Sequence, residues 1–122
     1  MQSLIEDEIR IHHVRGTKFN AWRTDGPLEV YLRITQRYIN RRIVKTIDLA
    51  TINVIEDKQN QGVFRRFLSG MEALAEDLDR VIYIENVLNP RFAEFFRRRG
   101  YTEIDTDGVP CFWFGRIPRA SE

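Results

Sequence analysis

With 122 residues the chain suffices for one compact domain with a modest core, and its 43% hydrophobic and 30% charged content excludes a disordered chain. Nineteen basic residues against eighteen acidic leave a formal charge of +1, which excludes a global field directed at nucleic acid. A lone cysteine, Cys111, excludes an intrachain disulfide or a cysteine-based zinc site. Only Lys18, Lys45 and Lys58 are lysines. The arginine bias suits bidentate contact with phosphate or carboxylate; the alternative source of such a composition is a GC-rich genome. Acids by residue 6 and the want of a long apolar run argue against a signal peptide or a membrane span, so a cytoplasmic compartment is expected.

In chain order, residues 9–14 alternate weakly and predict an opening strand, and residues 16–27, with Gly16, Asn20, Asp25, Gly26 and Pro27, predict a long loop. Residues 28–38 then alternate, with Leu28, Val30, Leu32 and Ile34 on one face and Tyr31, Arg33 and Arg37 on the other. Asn40-Arg41 predicts a hairpin turn without the glycine typical of one, and residues 43–55 predict a β-branched return strand.

A polar loop follows Val54, and residues 62–78 carry apolar positions at helical spacing: Val63, Phe67, Met71, Leu74 and Leu78. A helix start after a strand presents unpaired backbone N–H groups and the positive end of the helix dipole, a seat for phosphate, and Gly62 lets an anion approach closely. Residues 81–87 predict a buried strand. Asn89 followed by Pro90 predicts an N-cap and first helical position, with the helix stopping at Gly100. Residues 101–104, the turn 105–108 and residues 109–117 predict a closing hairpin. No repeat or linker divides the chain, so residues 1–122 are expected to form a single domain.

Two segments carry a resemblance. Val54 followed by Gln59-Asn60-Gln61-Gly62-Val63-Phe64, opening a helix, resembles the coenzyme-binding loop of the GNAT N-acetyltransferases. Asn89 to Tyr101, ending in Arg99-Gly100-Tyr101, resembles the family's second signature. The resemblance covers about residues 28–117. It implies an α+β fold: a central, mostly antiparallel sheet with a V-shaped splay between two strands, flanked by two main helices. It also implies acetyl-CoA as cosubstrate, with no metal, and direct attack by a primary amine of a small molecule or a protein lysine. The pyrophosphate would rest on backbone N–H groups of Gln59, Asn60, Gln61, Gly62, Val63 and Phe64, with Arg65 on the phosphates. The pantetheine arm would lie along Ile52, Asn53 and Val54, and Asn89 and Phe96 would complete the coenzyme site.

Departures matter as much. Phe64 stands where the family prefers glycine or alanine, and either turns its ring into the core or blocks the loop. Phe96 stands where many members carry the tyrosine that protonates the thiolate. Another acid is then needed: Tyr83, Tyr101, Cys111 or water. Asp48 occupies the strand position of the family's catalytic glutamate; it reads as a buried base of raised pKa or as an exposed carboxylate. Glu56 and Glu85 are lesser candidate bases, and His12 or His13 could line an acceptor pocket. Arg97, Arg98 and Arg99 either reach phosphates or offset a helix dipole. The family's two N-terminal helices do not fit into residues 15–27, so the acceptor site is open or covered by a partner; Phe19 and Trp22 could dock a homodimer. The alternative is a GNAT-fold binding protein for a protein or nucleic acid, favoured by Phe96 and by Arg33, Arg37, Arg41 and Arg42. A DNA-modifying member ranks below both, and no membrane partner is expected.

Overall fold

The structure, a computed structural model, describes residues 4–54, 61–106 and 108–117. The chain opens with helix α1 (Leu4–Arg15), not a strand. Ile5 and Ile9, one turn apart, form its buried stripe, while Ile11 and Val14 stay exposed and created a false alternation. Glu6 and Asp7 in the first turn and Arg15 in the last complement the helix dipole. Gly16, at φ 68°, closes the helix: its N–H donates to His13 O, and that of Thr17 to His12 O.

The expected loop at 16–27 contains strand β1 (Phe19–Asp25) instead. It pairs with β2 (Leu28–Ile39) through a two-residue turn, where Gly26 at φ 59° precedes the fixed negative φ of Pro27, the sign pattern of a type II′ turn. Strand β2 pairs with β3 (Arg42–Val54) across Asn40 and Arg41, both at positive φ as a type I′ turn requires. Asparagine tolerates that region; Arg41 occupies it under mild strain.

Helix α2 (Gln61–Leu78) crosses over to β4 (Val81–Ile84), which is buried along its whole length and runs parallel to β3. Helix α3 (Pro90–Arg98) is capped as its sequence predicts. Asn89 Oδ1 accepts from Arg91 N–H, and Gly100 at φ 94° ends the helix, with Tyr101 N–H on Phe96 O. Strands β5 (Thr102–Thr106) and β6 (Val109–Phe114) form the closing hairpin.

The sheet order is β1-β2-β3-β4-β6-β5, and every pairing except β3–β4 is antiparallel. This is an α+β fold with a six-stranded, mostly antiparallel sheet, accompanied among the described residues by three helices, the long α2, α3 and the N-terminal α1. One face, with Leu32, Ile34, Ile47, Leu49 and Ile82, carries the main core, to which all three helices contribute. The other face holds a smaller cluster of Ile39, Val44, Val81, Tyr83 and Cys111, packed by Ile104, Trp113 and Ile117, with no helical residue in it.

The free edge of β1 is guarded. Glu8 holds the Arg23 guanidinium at 3.0 Å, and Arg23 Nη1 donates to the Trp22 carbonyl at 2.8 Å. Charged side chains on an edge strand discourage pairing with another chain.

An aromatic cluster joins α2 to α3. Phe96 is fully buried, with the rings of Phe92, Tyr101, Phe95, Phe112 and Phe64 between 4.9 and 6.2 Å from its own. Truncating such a ring removes both transfer energy and packing. Phe96→Ala is expected to cost about 3–5 kcal/mol, read as a lowered urea midpoint.

Candidate active site

Strands β3 and β4 part company. Their parallel pairing covers Thr46 to Leu49 against Val81 to Ile84, after which β3 continues to Val54, paired among the described residues with β2 alone. Two features separate them. Ala50 is a bulge: Leu32 opposes Leu49 and Tyr31 opposes Thr51, so Ala50 has no partner and the strand twists more strongly. On the other side Asn86 adopts φ 56° and Val87 N–H donates to Pro110 O at 2.9 Å, drawing the chain away. The gap is a cleft of about 420 Å³, walled by residues 49–53 on one side and 84–89 on the other, with Phe92 of α3 also lining it.

The expected coenzyme residues fall into three groups. Ile52, Asn53 and Asn89 line this cleft; Ile52 and Val54 turn their side chains toward the core, and Asn53 Nδ2 donates to Glu29 at 3.2 Å. Asn89 spends its side-chain oxygen on the α3 cap. Gly62, Val63, Phe64 and Arg65 form the first turns of α2, which Gln61 opens. Phe64 turns its ring into the core, 5.0 Å from that of Phe92. Arg65 is exposed and its guanidinium stands 6.0 Å from the Phe95 ring. Arg66 reaches back over Gly62, 3.2 Å from where a Cβ would lie. Gln59, Asn60 and Glu56 lie outside the described residues. Phe96 offers no surface to a coenzyme, because its side chain is enclosed in the aromatic cluster. That part of the expectation is corrected.

Asp48 is not the exposed carboxylate of one reading: it is 0% exposed, on the smaller-cluster face of the sheet. Thr46 Oγ1 donates to its Oδ1 at 2.6 Å and Arg37 Nε to its Oδ2 at 2.8 Å. Burial pushes its pKa up, against the downward pull of Thr46 and Arg37. Arg37 also donates to Glu85 Oε2 at 2.9 Å and lies 4.0 Å above the Tyr83 ring, while Arg33 Nη1 donates to the same Glu85 Oε2. Glu85 is the member that faces the cleft, with its side chain one quarter exposed. Asp48 therefore cannot touch a substrate directly and instead fixes the arginine that fixes Glu85.

Of the candidate acids, Tyr101 is engaged: its hydroxyl donates to Glu72 at 2.7 Å, and burial with that bond pushes its pKa up. Cys111 is buried against Tyr83. Burial, then the Cys111 contact, pushes the Tyr83 hydroxyl up to about 12, so it holds its proton at neutral pH. Arg97, Arg98 and Arg99 are held by Glu103, Glu94 and Glu72, which accounts for all three without a ligand. His12 stacks on Phe19 and His13 accepts from Arg80 Nε, both away from the cleft.

Among the described residues no group of His, Cys, Asp and Glu could hold a metal ion, and no helix is long and apolar enough to cross a membrane. No protein-family model and no curated protein matches the chain.

Replacing Arg37 by methionine leaves Asp48 buried without its cation, an arrangement expected to cost about 3 kcal/mol at neutral pH. Since the folded-state pKa of Asp48 lies above its ordinary 3.8, the penalty belongs to the ionised form. It is present above the folded pKa and fades as pH falls toward 3.8. Denaturant titrations of Arg37→Met at several pH values check this.

Proposed function

We propose that the protein is an acetyl-CoA-dependent N-acetyltransferase of the GNAT kind, acting on a primary amine. One observation carries the reading: a strand pair that opens into a cleft beside an unpaired strand edge, with a helix next in the chain. A strand edge offers amide groups to an amide-bearing arm, and the helix start offers N–H groups to a pyrophosphate. The sequence resemblance at 54–64 and 89–101 points to the same coenzyme.

In this reading Glu85, the carboxylate in the cleft wall, accepts the proton of the attacking amine, directly or through water. Arg33 and Arg37 hold it in place, and Asp48 positions Arg37. As the C–N bond forms and the C–S bond breaks, the departing thiolate takes a proton from water, because Tyr83 is buried on the smaller-cluster face beneath Arg37 and does not line the cleft. A second reading, a binding protein of the same fold without acetyl transfer, is favoured by the enclosure of Phe96 and Asp48.

A thermal shift separates the two. Acetyl-CoA and coenzyme A should each raise the melting temperature by mass action, and no shift at millimolar ligand would overturn the coenzyme reading. Gly62→Glu, which adds bulk and negative charge at the head of α2, should remove the shift. Glu85→Gln should keep the shift and slow thiol release in the presence of polylysine about a hundredfold or more. Unchanged turnover would take Glu85 out of the mechanism.

A further inference from the structure

The β2–β3 hairpin is longer than its neighbours. Strand β1 covers β2 only as far as Ile34, and β4 meets β3 only from Thr46 onward, so residues 35–45 project beyond both as a two-stranded arm. The two faces of this arm differ. Ile39 and Val44, at 2% and 3% exposure, pack on the smaller cluster and fix the arm against the sheet. The opposite face carries two cross-strand pairs, Gln36 with Lys45 and Tyr38 with Ile43, and all four side chains are exposed. Tyr38 and Ile43 are 72% and 70% exposed, although an aromatic and a β-branched residue of this size more often bury themselves.

Charge gathers on the same arm. Residues 30–47 contain Arg33, Arg37, Arg41, Arg42 and Lys45 and no acidic residue. Arg33 and Arg37 are committed to Glu85 and Asp48. Arg41 at the turn and Lys45 on the open face are exposed, and among the described residues no carboxylate pairs with either. Lys45 is close enough to α1 to help lower the His13 pKa, after burial and Arg80, so the terminal turn of α1, with exposed Arg15, borders the same side.

We infer that the outer face of this arm is a docking surface for single-stranded nucleic acid. A planar ring set among unpaired cations matches a polymer of stacked bases and phosphates: Tyr38 offers a face on which a base stacks against Ile43, and Arg41 and Lys45 take the flanking phosphates. A rigid arm, held by Ile39 and Val44, presents this face without an ordering cost. With a net charge of only +1 there is no long-range steering, so binding is weak, local and salt-sensitive. The surface is separate from the β3–β4 cleft and does not rest on the acetyltransferase reading.

The test is fluorescence anisotropy of the full chain with a labelled twelve-nucleotide oligothymidine and an oligouridine at low salt. Tyr38→Ala should weaken binding about tenfold while Tyr38→Phe preserves it, because stacking needs the ring and not the hydroxyl. Arg41→Ser with Lys45→Ser removes two phosphate contacts and should weaken binding and flatten the slope of log K against log salt by about 1.4. All four changes are at exposed positions, and an unchanged melting temperature, together with an unchanged response to acetyl-CoA, verifies that only the arm was altered. Absence of binding at low salt, equal binding by Tyr38→Ala, or binding to anionic vesicles without binding to either oligonucleotide would overturn the inference.

Discussion

Four residues of parallel pairing, Thr46 to Leu49 against Val81 to Ile84, hold the sheet together. On one side lies the antiparallel unit β1-β2-β3, and on the other the unit β4-β6-β5. The first is built from two successive hairpins, the second from the β5–β6 hairpin and a non-local pairing of β4 with β6 across α3, and neither has a complete core without the other. Parallel pairing needs a crossover, which α2 supplies, and α2 in turn supplies Phe64, Phe67, Leu68 and Met71 to the main core. Extending the pairing to Val54 would close the cleft and bury the edge that makes the molecule interesting. Its brevity, set by the Ala50 bulge and the departure at Asn86, is what leaves the cleft open.

The same pairing determines the electrostatics. It sets Asp48 beside Tyr83, just as β2–β3 pairing sets Asp48 opposite Arg33. Arg37, two alternations further along β2, reaches across to Asp48 and Glu85 and covers the tyrosine ring. Two arginines and two carboxylates cancel locally, so the network adds no net charge to that face. A fully enclosed Asp48 is tolerable because Thr46 and Arg37 occupy its two oxygens.

Much of this was legible in the sequence where local physics and tertiary structure agree. The β2–β3 hairpin, α2, the buried β4 and both ends of α3 follow from alternation, helical spacing, Asn89-Pro90 and Gly100. The first 27 residues misled for physical reasons. Apolar residues at 11 and 14 face solvent, which gave a helix the look of a strand, whereas Ile5 and Ile9 were the informative pair. Strand β1 is an edge with one half-buried face, and its turn residues Gly26 and Pro27 outweighed its weak alternation. At the site, Asp48 was found by position, but its partners were missed. Counting outward from the Asn40–Arg41 turn places Arg33 opposite Asp48, so that pairing was present in the register. Which way Arg37 would reach, and that Phe96 would be sealed by five rings, depends on packing that no local pattern encodes.

The guard on β1 has a consequence for how the protein behaves in bulk. Its free backbone edge is shielded by one guanidinium that a single glutamate holds in place. Such a latch is coulombic and partly exposed, so dissolved ions loosen it while leaving the apolar core untouched or strengthened. Salting-out ions, which strengthen the burial of the core, would therefore also loosen the contact that covers the Trp22 carbonyl on this edge.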